Sequence, residues 1–568
     1  MKKLAATILC VIFILSMLTL SIAGCGASRS SAPSASPSSG SSSQVPATSA
    51  PASPAPASPA PASPAPTPAA SAPSASPSFA APPPGFGDPN AGARWTDNYI
   101  PNTDEEYLVI NENRAVPTSE NSMLTFSLKV DTASYRNVVR YIDSGNLPPA
   151  DAVRIEEMIN YFRYEQPLLI NEGPFSFYAE LGPSPFSSAR KLAFVRVKSK
   201  DISRDELPPS NLTFLIDTSG SMDSYDKLPL LKSAFGLLVE TLGQNDTISI
   251  VTYAGSTRIA LDSVRGNDKK RIMNVINSLE AGGSTAGAKG IQTAYELAER
   301  NFIYNGNNRV ILATDGDFNV GISSVSELER FINQKRESGV YLSVLGVGTE
   351  NIKDNKMETL AKNGNGNYNY LDSVATAKKV LVDEFAANIY VIANDVKAQV
   401  EFNPALVSEY RLIGYENRRL QNKDFTDDAK DAGEVGIGTD VILMFEVTLA
   451  NTFGNGLKYG GAAPVVDLGA YGDEFFEVRI RYKNPGESSG RQITVPVKTD
   501  RLLAENTADF NFASSVAAFG HLLRDSRYSG DVELGRIIAV AEGNKGLDDG
   551  KLRDEFARVL RKYQQIRR

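Results

Sequence analysis

The 568-residue sequence is poor in the side chains that most often hold transition metals or act as catalytic bases. It has two cysteines, one histidine and one tryptophan. Both cysteines, Cys10 and Cys25, lie in the N-terminal segment, so the rest of the chain has none for a disulfide or a His/Cys zinc site. The single histidine, His521, has no nucleophile motif near it, which argues against a Ser-His-Asp or Cys-His site. We therefore expect His521 to be structural.

The chain is also mildly acidic. The chain has 58 basic and 66 acidic residues, which gives a formal net charge of −8. There is no basic stripe, so the sequence offers no electrostatic reason to bind nucleic acid.

The N-terminus has the pattern of an export signal. Lys2 and Lys3 precede the apolar run 4–20, and small residues then lead to Cys25. The ending Ile-Ala-Gly-Cys resembles a bacterial lipobox. That resemblance implies removal of residues 1–24 and a lipid on Cys25, which would anchor the chain to a membrane. The alternative is an uncleaved membrane anchor. No second stretch is long and apolar enough to span a bilayer.

Residues 25–92 are dominated by Ala, Ser and Pro, with repeats of Pro-Ala-Ser-Pro-Ala. Such a composition cannot bury a core, and its prolines keep the chain extended. We interpret this segment as a disordered tether between the membrane and the folded part.

The most informative motif is Asp217-Thr-Ser-Gly-Ser-Met222, between an apolar run and a helical pattern that begins near Lys227. In an open parallel sheet this strand-to-helix turn lies where ligands bind. Two later residues fit the same site: Thr285 in Gly-Gly-Ser-Thr-Ala-Gly, and Asp315 after another apolar run. All candidate ligands offer oxygen, which favours a hard cation, with Mg²⁺ first and Mn²⁺ or Ca²⁺ possible.

This set resembles the metal-ion-dependent adhesion site of von Willebrand factor A (VWA) domains. The residues that match its five positions are Asp217, Ser219, Ser221, Thr285 and Asp315. The resemblance implies that the two serines and the threonine bind the metal directly, and that the aspartates bind it directly or through water. It further implies that a carboxylate from a partner protein completes the coordination. The alternative is a polar turn and two helix caps, because the same residue types are preferred at helix N-termini.

Strand and helix patterns alternate through residues 207–392, which predicts an α/β fold with a mostly parallel, doubly wound sheet and one antiparallel hairpin at 247–261. A helical and strand segment at 93–206 precedes this VWA domain. A β-rich, sandwich-like domain at 393–500 and C-terminal helices at 501–568 follow it. We expect the strands at 175–181 and 191–198 to pair with strands after the VWA domain. Both flanking regions resemble those of a family of bacterial VWA lipoproteins.

Taken together, these features predict a lipid-anchored cell-envelope protein that faces away from the cytoplasm and binds a partner protein through a metal. One alternative is a scaffold in an envelope complex, with binding by the flanking domains. Another is a metal-dependent hydrolase, which the absence of a recognisable acid/base pair disfavours. We therefore expect a protein that is not an enzyme.

Overall fold

The computed structural model describes residues 105–567, except 130, 169, 285–287, 317–324, 350–351, 451–470, 531, 547 and 549. The chain divides into the units Met1–Arg94 and Trp95–Arg568, and every described residue belongs to the second. The predicted signal sequence, Cys25 and the tether lie outside the described residues. No helix in the described ranges is both long and apolar enough to cross a membrane.

Eighteen strands occur in the described ranges. They are β1 (Val116–Pro117), β2 (Met123–Ser127), β3 (Ile170–Glu172), β4 (Phe175–Ser184), β5 (Ser187–Ser199), β6 (Ser210–Asp217), β7 (Thr247–Tyr253), β8 (Thr257–Arg265), β9 (Asn307–Thr314), β10 (Val340–Val347), β11 (Tyr368–Leu371), β12 (Val391–Phe402), β13 (Val407–Ile413), β14 (Arg419–Leu420), β15 (Gly433–Gly436), β16 (Asp440–Leu449), β17 (Glu474–Lys483) and β18 (Arg491–Lys498).

Twelve α-helices occur in the same ranges. They are α1 (Ala133–Asp143), α2 (Ile155–Asn160), α3 (Leu228–Thr241), α4 (Lys269–Asn277), α5 (Ala288–Arg300), α6 (Val325–Arg336), α7 (Asp354–Asn363), α8 (Val374–Lys378), α9 (Phe385–Ile389), α10 (Ala508–Leu523), α11 (Leu534–Gly543) and α12 (Leu552–Ile566). A π-helical turn, Lys379–Asp383, joins α8 to α9.

The sheet of the predicted VWA domain has the strand order β11-β10-β9-β6-β7-β8. All neighbouring pairs are parallel except β7 and β8, which form the predicted antiparallel hairpin. Strands β6, β7, β9 and β10 are buried along almost their whole length because helices cover both faces of the sheet. The α/β fold class predicted from the sequence is confirmed.

Two further sheets enclose a second core. One has the order β1-β13-β16-β5-β4-β3, and the other has the order β14-β2-β12-β17-β18 with β15 beside β12. As predicted, β5 pairs with a strand that follows the VWA domain, β16. The same prediction was wrong for β4, which pairs with β3 and β5 because the turn between β4 and β5 makes them a hairpin. The ranges predicted as separate, 93–206 and 393–500, therefore contribute strands to the same two sheets. The chain leaves this sandwich after β5, forms the VWA sheet, and re-enters it at β12.

The C-terminal helices pack on the outer face of the sandwich. Helices α10, α11 and α12 share an apolar cluster with α1, α2 and side chains of β5 and β16. Phe162, Phe512 and Phe556 form its aromatic centre, with edge-on ring contacts at 5.0–5.6 Å.

A buried group of charges joins the VWA domain to the segments around it. The Arg154 guanidinium contacts Glu157 at 2.6 Å, and it also contacts Asp354 of helix α7 at 2.6 Å. The Arg418 guanidinium contacts Asp131 at 2.6 Å and Glu358 of α7 at 3.3 Å. Because buried charges are tolerated only when they are paired, these contacts fix the orientation of α7 relative to its neighbours.

Candidate metal centre

The parallel sheet brings two carboxylates to one edge. Strand β6 ends at Asp217, and Asp315 directly follows β9. The two strands are adjacent and in register, with Ile216 beside Ala313. Both aspartates therefore leave the sheet at the same carboxyl end, where ligands bind in folds of this type.

The turn after β6 orients the first carboxylate and two hydroxyls. The backbone N–H of Ser219 donates to Asp217 Oδ1 at 2.9 Å, and the Thr314 hydroxyl donates to Asp217 Oδ2 at 3.3 Å. The hydroxyl oxygens of Ser219 and Ser221 lie 3.1 Å apart. Ser219 is buried and Ser221 is exposed, so the pair faces from the protein interior towards solvent.

Backbone hydrogen bonds hold the segment that precedes Thr285 against this turn. The N–H of Gly220 donates to the Gly283 carbonyl at 3.0 Å, and the N–H of Gly282 donates to the Thr218 carbonyl at 2.8 Å. Gly283 has a φ of +84°, a conformation that a glycine adopts without strain. Thr285 itself lies outside the described residues, so its predicted role as a ligand stays a prediction.

The environment of Asp217 disfavours its charged form. Burial raises the pKa of the Asp217 carboxyl, and the nearby Asp315 carboxylate adds to the effect, while hydrogen bonds from Ser219 and Tyr253 act in the opposite direction. A cation at this position would therefore be stabilised by two carboxylates that lie in a site of low polarity.

A lysine also reaches the site. The Lys227 ammonium donates to Asp315 Oδ2 at 2.9 Å, and the two side chains are only 12% and 3% exposed. Lys227 precedes helix α3, and its aliphatic stem lies against Gly348, where any Cβ would collide with it.

The described donors fit a hard divalent cation. Neighbouring ligands of an octahedral ion with bonds of about 2.1 Å lie about 3.0 Å apart, which is close to the separation of the two serine hydroxyls. The described residues contain no group of three or more His, Cys, Asp and Glu side chains that could hold a metal. The candidate site differs from such a group, because its described donors are two carboxylates and the hydroxyls of Ser219 and Ser221. Oxygen donors of this kind suit Mg²⁺ better than they suit a softer ion.

Three side chains that the sequence did not predict lie around the motif residues. Lys227 contacts Asp315, while Thr314 and Tyr253 hydrogen-bond to Asp217. Thr314 could have been found, because it directly precedes Asp315 in the motif. Tyr253 comes from the end of β7 and Lys227 from the start of α3, and no local pattern predicts that either side chain would turn towards the site.

A separate polar cleft of about 880 Å³ lies where the VWA domain meets its flanking segments. Its walls include the π-helical turn, the start of α12, and charged side chains that are already paired. The Lys379 ammonium contacts Glu384 at 2.8 Å and lies 4.3 Å from the centre of the Tyr161 ring. The Arg553 guanidinium contacts Asp509 at 2.7 Å.

His521 lies far from the motif in sequence and is buried within helix α10. One of its ring nitrogens lies 3.3 Å from the Arg411 guanidinium, and the other lies 3.5 Å from the Glu112 carboxylate. Burial lowers the pKa of His521, so the neutral imidazole is favoured. These contacts agree with the structural role expected from the sequence.

Comparison with known proteins gives three family matches. Residues 211–383 match the family model described as von Willebrand factor type A domain, and residues 101–194 match the one described as von Willebrand factor. Residues 387–566 match the model described as the C-terminal part of the uncharacterized protein YfbK.

Individual proteins are also similar to this chain. The uncharacterized protein YfbK of Escherichia coli (strain K12) is 42% identical over 482 residues, which cover 83% of this chain and 83% of YfbK. The uncharacterized protein sll0103 of Synechocystis sp. is 25% identical over 194 residues, 34% of this chain and 44% of that protein. Among solved structures, a von Willebrand factor type A protein from Catenulispora acidiphila aligns with 67% of this chain and 89% of its own, at 17% identity and a TM-score of 0.39.

Proposed function

The chain belongs to the family of VWA-domain proteins represented by YfbK of Escherichia coli, and from this premise we propose that it binds a partner protein through a divalent metal. The ligands would be Asp217, Ser219, Ser221, Thr285 and Asp315. A VWA domain is itself suggestive of protein–protein interaction or adhesion. Beyond this general role, the proposal includes the metal, the carboxylate of the partner and the anchoring of the chain to a membrane.

One observation carries the proposal: two carboxylates and a pair of hydroxyls meet at the carboxyl edge of the sheet. Asp217 and Asp315 follow adjacent parallel strands, and the Ser219 and Ser221 hydroxyls lie 3.1 Å apart beside them. The serine hydroxyls are neutral donors. If one of the aspartates binds only through water, the cation keeps more of its positive charge, so it would attract a carboxylate supplied by a partner.

The surface around the site is suited to a protein partner. Tyr225 lies in the loop between Ser221 and Lys227, and its side chain is 87% exposed. Exposed tyrosines are enriched at protein interfaces, because the ring supplies contact area and the hydroxyl supplies a hydrogen bond. Tyr225 would therefore contact the partner beside the metal.

The proposed location follows from the N-terminal sequence. Lipid on Cys25 would hold the chain at a membrane, and the segment 25–92 would separate that membrane from the VWA domain. Mass spectrometry of the N-terminal peptide from the native host tests this point. A lipid-modified Cys25 is the expected result, whereas an unprocessed Met1 would contradict the lipoprotein assignment.

Binding rather than catalysis is proposed for the metal centre. The only histidine of the chain, His521, is enclosed by Arg411 and Glu112 in a different part of the structure. The lysine at the site, Lys227, is already engaged with Asp315.

Calorimetric titration of the full-length chain with Mg²⁺, Mn²⁺ and Ca²⁺ tests the metal site. We expect binding of Mg²⁺ to the natural protein and none to Asp217→Ala. Asp223→Ala is a matched control, because Asp223 is an exposed carboxylate in the same turn but outside the motif. Equal metal binding by the natural protein and Asp217→Ala would overturn the proposed site.

A second candidate function is binding by the flanking domains, with the VWA domain as a support. The cleft of about 880 Å³ favours it, because the volume falls within the range of about 300–1,000 Å³ that is common for ligand sites. The two functions differ in their response to a chelator. Partner binding that survives removal of divalent metal and the Asp217→Ala substitution would support the flanking domains instead of the metal centre.

A further inference from the structure

Lys227 has an unusual position for a cation. It immediately precedes helix α3, at the end where the helix dipole carries partial positive charge. An ammonium group is disfavoured there unless a nearby anion compensates for it. The Asp315 carboxylate provides that compensation at 2.9 Å.

The fold guides the lysine to this carboxylate. Its aliphatic stem crosses Gly348, which has a φ of +84° and no side chain to block the path. The carbonyl of Gly348 is itself held by the Tyr370 hydroxyl at 2.7 Å. Since the Lys227 side chain is only 12% exposed, its contact with Asp315 is built into the structure and is not a chance encounter of a surface lysine.

The geometry points to Lys227 as a resident cation that competes with the divalent metal for Asp315 and thereby sets the metal affinity of the site. This inference rests on the proposed metal-binding function. A divalent ion that takes up the Asp315 carboxylate must displace the ammonium from it. This displacement breaks an ion pair that lies largely out of solvent, where such pairs are hard to break.

The competition has a consequence for the protein without metal. The ammonium pairs with the buried Asp315 carboxylate when no metal is bound, and it therefore stabilises this edge of the sheet in the metal-free protein. Removing the ammonium would leave Asp315 without this partner, and a metal would then both bind more tightly and stabilise the fold more strongly.

Lys227→Met tests the inference in the full-length protein, because methionine keeps an unbranched stem over Gly348 and removes the charge. Calorimetry with Mg²⁺ should show an affinity about ten- to a hundredfold higher than that of the natural protein. With EDTA present, Lys227→Met should unfold at a lower temperature than the natural protein. Addition of Mg²⁺ should raise the unfolding temperature of the variant by more than it raises that of the natural protein. Lys232→Met is the matched control: it removes the same charge within helix α3, at a side chain that donates to the Asn277 carbonyl. The Mg²⁺ affinity of this variant should stay within about twofold of that of the natural protein.

A second measurement needs no substitution. Lysine acetylation of the natural protein, followed by mass spectrometry, reports how accessible each ammonium group is. Mg²⁺ should increase the acetylation rate of Lys227, since the displaced side chain would become exposed, and it should leave the rate of Lys232 unchanged.

The outcomes separate this inference from the function on which it rests. Mg²⁺ binding of equal or lower affinity in Lys227→Met would overturn the competition and leave the metal site intact. Binding of Mg²⁺ to Lys227→Met but not to the natural protein would support strong competition between Lys227 and the metal for Asp315. Absence of binding to both proteins would overturn the metal site, and the competition with it.

Discussion

The Arg154 guanidinium contacts the Asp354 carboxylate at 2.6 Å, and their side chains are 2% and 0% exposed. Arg154 lies before the VWA domain, and Asp354 begins helix α7 within it. The same guanidinium contacts Glu157 at 2.6 Å. The VWA domain is therefore fixed to its flanking segments by charges that water does not reach.

Substitution of this arginine should destabilise the protein strongly. In Arg154→Met, the Glu157 and Asp354 carboxylates remain buried without their guanidinium. We expect the free energy of unfolding to fall by about 3–5 kcal/mol, which is the usual cost of removing one partner from a buried ion pair. Urea denaturation followed by circular dichroism measures this change.

Arg114→Met is a suitable control for that measurement, because Arg114 and its partner Glu120 form an ion pair on the surface. Its effect should be below about 1 kcal/mol. Similar losses in the two variants would contradict the interpretation that the Arg154 contacts join the domains.

The sequence predicted the VWA sheet well because its elements are local. The apolar runs before Asp217 and Asp315 identify parallel strands, and the motif itself places both residues at the strand ends. The sandwich was harder to predict because its partners are distant in sequence: β5 pairs with β16 across the whole inserted domain. The contact between Arg154 and Asp354 also depends on tertiary packing, so a single sequence carries no local signal for it.

Ser219→Ala should weaken metal binding without a comparable loss of stability. The substitution removes a neutral oxygen from the proposed coordination shell but keeps the backbone N–H that donates to Asp217. We expect the Mg²⁺ affinity in calorimetry to fall at least about tenfold, which corresponds to about 1.4 kcal/mol. Ser233→Ala in helix α3 should leave the Mg²⁺ affinity unchanged, because the Ser233 hydroxyl is outside the motif and donates to the Pro229 carbonyl of its own helix. An unchanged affinity in Ser219→Ala would exclude its hydroxyl as a ligand.

Glu434 should make the stability depend on pH. Burial raises its pKa to about 8, despite the opposing effect of Lys129, so the folded protein binds the proton more tightly than the unfolded chain does. The stability that this proton contributes is fully present below the unfolded pKa of 4.5, and it is lost as the pH rises through about 8.

In Glu434→Gln the side chain stays neutral at every pH. The stability of the variant relative to the natural protein should therefore increase between pH 5 and pH 9, by a few kcal/mol at about 1.4 kcal/mol per unit of pKa. Urea denaturation at both pH values measures this difference. Glu280→Gln is a control, because Glu280 is an exposed carboxylate. If the free energies of unfolding of Glu434→Gln and the natural protein changed with pH in the same way, Glu434 would not be the source of the pH dependence.

Gly348→Ala should disturb the site through Lys227. The new Cβ would collide with the lysine stem, and a φ of +84° is strained for alanine. We expect a loss of about 1–3 kcal/mol in the free energy of unfolding, measured with EDTA present. If the added methyl group displaces the ammonium from Asp315, the Mg²⁺ affinity should rise despite this lower stability.

Gly145→Ala is a control that separates backbone strain from displacement of the lysine. Gly145 also has a positive φ, of +83°, but no atom of the described residues other than its chain neighbours lies within 4 Å of its added Cβ. Gly145→Ala should be less stable than the natural protein but should bind Mg²⁺ with the same affinity. If Gly145→Ala and Gly348→Ala showed an equal rise in Mg²⁺ affinity, the collision with Lys227 would not be the cause of that rise.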